Sequence, residues 1–145
     1  EYNKISSNDN RLNLFSFDEW SNINQKFDFV FSISSFEHDG LGRYGDQINP
    51  NGDLEAMRNI YDNLLSDNGI LLLSVPIGKD QLAFNAHRIY GKVRFPLLTK
   101  GFNLIETFGF EEDQFLRHSE SGEISIVKDS RKAFQPIFVL SKYKK

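Results

Sequence analysis

The chain has no cysteine, which excludes disulfides, thiolate metal sites and thiol nucleophiles. That fits a reducing compartment, and because no secretory segment opens the sequence the expected location is cytoplasmic. Long apolar runs are missing too. The densest, Ile70 to Val75 extended to Ile77, falls far below the ~20 residues that cross a bilayer, so no membrane partner is expected. Charge of one sign is not concentrated anywhere. Seventeen basic and twenty acidic residues are interspersed to a net charge of −3, and Lys142, Tyr143, Lys144 and Lys145 read as a solvated tail, so no nucleic-acid partner is expected. Four Pro and ten Gly are too few for a low-complexity chain. The sequence opens at Glu1 without Met, as a processed, trimmed or partial chain does.

At 145 residues the chain suits a single domain spanning 1–145, able to bury roughly 70% of its unfolded surface. Lys26-Phe27-Asp28-Phe29-Val30-Phe31-Ser32-Ile33 is rich in β-branched and aromatic residues, and Ile70-Leu71-Leu72-Leu73-Ser74-Val75 is apolar on both faces. Both read as strands, the second a buried one. Between them, Leu54, Met57, Tyr61, Leu64 and Leu65 share one face of a helix over 53–65, with Gly52 or Asp53 as its cap and Asn68-Gly69 as its stop. A strand, a helix and a parallel strand imply a right-handed crossover and an α/β layout. Tyr90 to Lys100 is a helical candidate interrupted by Pro96. Phe102 to Phe108 and Pro136 to Ser141 read as further strands, Arg117 to Arg131 as a polar hairpin or loop, and Leu12 to Phe17 as a short strand followed by a helical turn through Trp20.

Gly40, Gly42 and Gly45 stand at the spacing G-x-G-x-x-G. A dinucleotide fingerprint places these glycines directly after a strand and at the opening of a helix. Here the strand ends near Ile33 or Ser34, and Asp46 to Gly52 intervenes before the helix. The glycines are therefore expected to shape an irregular loop with positive φ or close approach, and Asp39 would repel a phosphate. The loop from Ser34 to Gly52 and the segment from Pro76 to Asp80 both leave carboxyl ends of strands, where ligands bind in open α/β sheets. They should converge on one cleft.

Phe27 to Val30, Ser34-Ser35-Phe36-Glu37-His38, the helix ending Leu64-Leu65-Ser66-Asp67-Asn68-Gly69, and Leu71 to Pro76 resemble the fourth strand, fourth helix and fifth strand of class I S-adenosylmethionine-dependent methyltransferases. More narrowly, Ser34 to Asp46, Ser74 to Asp80 and Phe84 to Tyr90 resemble domain-of-unknown-function family 268. The resemblance implies a partial Rossmann-like sheet, mostly parallel, with helices on both faces. Its last strand, Pro136 to Ser141, would be antiparallel and inserted beside Phe102 to Phe108. It also implies S-adenosylmethionine as cofactor, with Glu1 accepting from the ribose hydroxyls and Ser34 and Ser35 at the cofactor edge. Glu1 to Ile5 would end the second strand, and Leu12 to Phe17 would be the third. The first strand and its glycine-rich turn have no counterpart in this chain, so cofactor binding is expected to be weak and activity of the chain itself stays open.

Methyl transfer requires an acceptor held in line, with a base if it must lose a proton. Glu37 and His38 are the catalytic candidates, His38 the better base because imidazole ordinarily titrates near 6.5; equally, they can tie the loop to backbone groups. Arg43, Tyr44, Asp46, His87 and Arg88 are candidates for holding the acceptor. Arg88 suits a carboxylate or phosphate, or instead pairs with Asp39, Asp46 or Asp80. Tyr44 and Trp20 can stack on a ring or serve as packing. No metal is expected, for His38 and His87 lack short ligand spacing. The expected function is methyl transfer to a small-molecule or glycan-like acceptor. The alternatives are a catalytically silent ligand- or partner-binding domain and a His/carboxylate metal-dependent hydrolase. Without its first strand the sheet leaves an open edge, for which homodimerisation is the expected remedy.

Overall fold

The computed structural model describes residues 9, 11, 13, 25–109, 116–118, 124–126 and 134–143. Strand β1 (Phe27–Ile33) pairs in parallel with β2 (Leu65–Ser74). The last strand, β8 (Ile137–Lys142), lies antiparallel between β2 and β5 (Phe102–Phe108), and the sheet order is β1-β2-β8-β5. The placement of 136–141 beside 102–108 is therefore as the sequence implied. The sheet is mixed rather than mostly parallel by pairing: one ladder is parallel and two are antiparallel. Two short hairpins complete the strands, β3 (Gln81–Ala83) with β4 (His87–Ile89) and β6 (Leu116–His118) with β7 (Ile124–Ile126). The second of these falls where a polar hairpin was expected.

Register explains the core. Val30, Leu71, Leu140 and Leu104 form one row across the sheet, and Leu73 pairs with Phe138 in the next inward row. Helix α1 (Gly52–Asn59), continued by a π-helical turn at Ile60–Leu64, lays Met57, Ile60 and Leu64 on this face. The short helix α2 (Arg94–Leu98) adds Phe95 and Leu98, with the Phe95 ring 4.7 Å from that of Phe138. Alternation puts Phe29, Phe31 and Ile33 on the other face, where they are more than half exposed; at the opposite edge of the sheet, Ile105 and Phe108 of β5 are about half exposed. Helices were expected on both faces; among the described residues both pack on one, because the inward rows alone carry the buried Leu and Phe side chains.

Three local boundaries differ from expectation. The helix cap is Asn51, while Asp53 lies inside the first turn with its carboxylate turned to Tyr90 and Arg94. Asn68-Gly69 lies within β2 instead of ending the helix, since Leu65 already pairs with Phe27. The helix expected over 90–100 shrinks to five residues because Asp80, from outside, accepts from the amides of Gly91, Val93 and Arg94 and sets where it starts; Pro96 fits in that first turn, where no amide is needed. No helix among the described residues is long and apolar enough to cross a membrane. Glu1 to Ile5, most of Leu12 to Phe17, Asp18 and Trp20 lie outside the described residues.

Candidate functional site

At the end of β1 the chain enters a strained turn. Ser34 takes φ +50°, its amide donates to the Ser74 carbonyl at 3.0 Å, and its hydroxyl accepts from the Gln135 amide nitrogen. A 3₁₀ turn over Phe36–His38 follows. Phe36 is drawn into the core, and this buries Glu37 at 3% exposure while His38 stays half-buried.

His38 Nδ1 lies 2.6 Å from the Ala86 carbonyl oxygen. A carbonyl only accepts, so Nδ1 carries the hydrogen and the neutral ring presents its lone pair at Nε2. That nitrogen is 3.8 Å from Glu37 Oε1. The Tyr44 ring stands edge-on to His38 at 5.6 Å, with Arg43 over it at 5.7 Å, and the His87 ring is 6.5 Å from His38. Glu37 Oε2 is the one buried side-chain oxygen or nitrogen among the described residues without a hydrogen-bond partner. Burial pushes the Glu37 carboxyl up from its ordinary value, against the pull of its own amide and of His38 and His87. Glu37, His38, Tyr44 and His87 are thus brought together.

Asp46 points inward, not toward an acceptor. Its Oδ2 accepts from the amides of Gly40 at 2.7 Å and Gly42 at 3.3 Å, and its Oδ1 from Tyr44 at 3.2 Å. Burial works to raise its pKa, but the donors at Gly42, Tyr44 and Gly40 prevail and hold it below the ordinary value. The amides of the G-x-G-x-x-G loop therefore already cradle an anion, and it belongs to the chain. Gly40 has φ +75°, and a Cβ there would meet the Asn49 carbonyl oxygen at 2.1 Å, which explains why the position is glycine.

Beneath this loop lies a polar knot that sequence reasoning missed. Asp53, fully buried, accepts from Tyr90 Oη at 3.0 Å and from Arg94 Nε at 3.0 Å and Nη2 at 2.5 Å. Arg88, 3% exposed, donates to the carbonyls of Asp39 at 2.6 Å and Pro50 at 3.4 Å and holds its Nε 3.7 Å from Asp53. Arg88 is thus a strut between the hairpin and the glycine loop. Burial, then the charge of Asp53, pushes the Tyr90 phenol up. Burial, with Asp46 and Asp53 beside it and Arg88 opposing, raises Asp39 to about 7. The only sequence signal for Asp53 was its place at a helix start, which reads as a cap.

Gly40, Leu41, Ile48 and Pro50 of the first strand-end loop and Asp80 of the second line a common groove, so the two do converge; the hairpin returns Tyr90 to β2's exit, where Gly78 donates to the Tyr90 carbonyl and Tyr90 to the Pro76 carbonyl. Among the described residues no cluster of three or more His, Asp and Glu is arranged to hold a metal. Glu1 lies outside the described residues.

A family model described as a Caenorhabditis protein of unknown function, DUF268, matches residues 3–143. The chain belongs to that family. No curated protein matches it. No solved structure matches it either. DUF268 in this chain therefore comprises the mixed sheet, the strand-end loops and the Asp53 knot together, since all the described elements fall within the matched span.

Proposed function

We propose that this domain transfers a methyl group from S-adenosylmethionine to a hydroxyl-bearing small-molecule or glycan-like acceptor, with His38 as the base. The observation that carries the reading is a base-competent His38 at the carboxyl end of β1, in a sheet whose last strand runs antiparallel between the two before it. That strand order is what the methyltransferase resemblance implies. When bound, S-adenosylmethionine supplies an electrophilic methyl carbon and keeps the bonding pair on sulfur as the leaving thioether. Ser34 and Ser35 are exposed at the strand end, and the strain at Ser34 is of the kind that collects at ligand sites; they would line the cofactor's edge.

On the acceptor side, His38 Nε2 would take the proton of the acceptor hydroxyl. In the neutral ring the Ala86 carbonyl holds the hydrogen on Nδ1 and so leaves the Nε2 lone pair open, and Glu37 Oε1, 3.8 Å from Nε2, would face the imidazolium formed on proton uptake. The Tyr44 and His87 rings offer flat faces to a sugar or other ring.

The test is transfer of labelled methyl from S-adenosylmethionine to hydroxylated acceptors by the full-length protein and its His38→Gln variant. Transfer is expected from the parent and a loss of about 10²-fold or more from the variant, within the range for removal of a general base. Equal rates remove His38 from the mechanism, and no transfer by the parent across sugars and small alcohols overturns the activity.

One observation favours a second reading, a silent binding domain: Asp46, Arg88 and Asp53 all spend their polar atoms on holding loops. Binding of S-adenosylmethionine or of an acceptor without any turnover would support it.

A further inference from the structure

The open groove beside the polar knot is a separate feature. Its walls come from three segments, the glycine loop, the β3–β4 hairpin and the start of α2, and it encloses about 520 Å³. That volume suits a small ligand. Ile48, Leu82, Phe84 and Val93 line it, one or two from each wall, and each is between 57% and 69% exposed. Scattered apolar side chains on a surface mean little; here four converge on one concavity, the form that small-molecule sites take.

Each wall is held in place before any ligand arrives. Asp46 ties the glycine loop to itself; the hairpin is fastened by His38 to the Ala86 carbonyl and by Arg88 to the Asp39 carbonyl; Asp80 fixes the entry to α2 through the amides of Gly91, Val93 and Arg94. A preformed site loses little ordering entropy on binding.

Charge decides the class of occupant. The ionised groups lining the groove are Arg88, Arg94 and Asp80. Both guanidinium groups are engaged by Asp53 and by backbone carbonyls, and both Asp80 oxygens accept from amides. An anionic headgroup or a cation would have to break these bonds, so the complementary ligand is uncharged. We propose that this groove binds a small neutral amphiphile through its alkyl or aryl body.

Calorimetry with octyl-β-glucoside below its micellar concentration, hexyl-β-glucoside and glucose tests the proposal. Saturable one-to-one binding is expected for the octyl compound, roughly 15-fold weaker binding for the hexyl compound at about fourfold per methylene, and none for glucose. The double substitution Leu82→Ser/Phe84→Ser changes only exposed side chains and is expected to weaken octyl binding at least about tenfold with the circular dichroism spectrum kept. Val93→Trp, which fills the groove from another wall, is expected to do the same. Phe31→Ser, on the open sheet face, is expected to leave the affinity unchanged. Affinity independent of chain length, or insensitive to the double substitution and to Val93→Trp, overturns the proposal. So does sedimentation with phosphatidylcholine vesicles, or concentration-dependent dimerisation, that the same substitutions abolish, since the occupant would then be a bilayer or a second copy.

Discussion

Arg94 grips Asp53 at two points, Nη2 on Oδ1 at 2.5 Å and Nε on Oδ2 at 3.0 Å, across a separation of 41 residues in the chain. The fork joins the first turn of α1 to the first turn of α2 and thereby sets the distance between the two helices that cover the sheet. With Tyr90 and Arg88 on the same carboxylate, it leaves little freedom to the segment between β2 and β5.

Removing the carboxylate should therefore be severe. Asp53→Ala leaves Arg88 buried without its counter-charge and is expected to lower the unfolding free energy by about 3–5 kcal/mol, read from urea denaturation. Arg94→Lys, which keeps the charge and loses the planar fork, is expected to fall between the parent and Asp53→Ala.

Two glycines of the loop should respond differently. Gly40→Ala puts a Cβ against the Asn49 backbone as well as forcing a left-handed alanine, and is expected to cost more than about 2 kcal/mol. Gly45 has φ +85° but open space around its Cβ position, so Gly45→Ala is expected to cost only the conformational penalty of about 1–2 kcal/mol. Paired urea midpoints check the difference.

Asp39 makes stability depend on pH. Its native pKa is raised to about 7, while an unfolded aspartate titrates near 3.9. Between these values the native state holds the extra proton, so stability falls as pH rises from about 4 to about 7. Asp39→Asn is expected to be more stable than the parent at pH 8, by on the order of 1 kcal/mol after solvent screening, with the gap closing at pH 4. Thermal melts at the two pH values measure it, and an equal gap at both would contradict it.

Asp46 works in the opposite direction. With its pKa lowered, the stability it contributes is complete above the ordinary carboxylate value and is lost as pH falls through the lowered one. Asp46→Ala strips the loop of its acceptor and is expected to cost about 1–3 kcal/mol. Hydrogen exchange at the amides of Gly40, Gly42 and Tyr44 should accelerate with it.

The main strands were legible because their signals are local. Runs such as Phe27 to Ile33 and Ile70 to Val75 carry β-branched and apolar residues in strand-like patterns, and the helix between them shows its apolar stripe. The β3–β4 hairpin was not legible, since Gln81-Leu82-Ala83 and His87-Arg88-Ile89 are three residues each and too short to show a period. Site residues divide the same way. Glu37 and His38 could be placed above the strand end from their position just after β1. For Arg88, Asp39 stood among the possible partners as a carboxylate, but the atoms that accept are the carbonyls of Asp39 and Pro50, 49 and 38 residues away, and a backbone oxygen leaves no trace in residue type. The reading of the glycine loop as irregular rather than phosphate-binding agrees with the positive φ at Gly40, Gly42 and Gly45, although the role of Asp46 within it was invisible.

That role carries a thermodynamic consequence for the loop. A carboxylate on a short tether acts as a competitor at an effective concentration in the millimolar range or above, present whatever the solution contains. A free phosphate would have to outcompete a ligand that never diffuses away. The loop is thus saturated by its own chain, and a spacing that elsewhere recruits a nucleotide here works as an internal clasp.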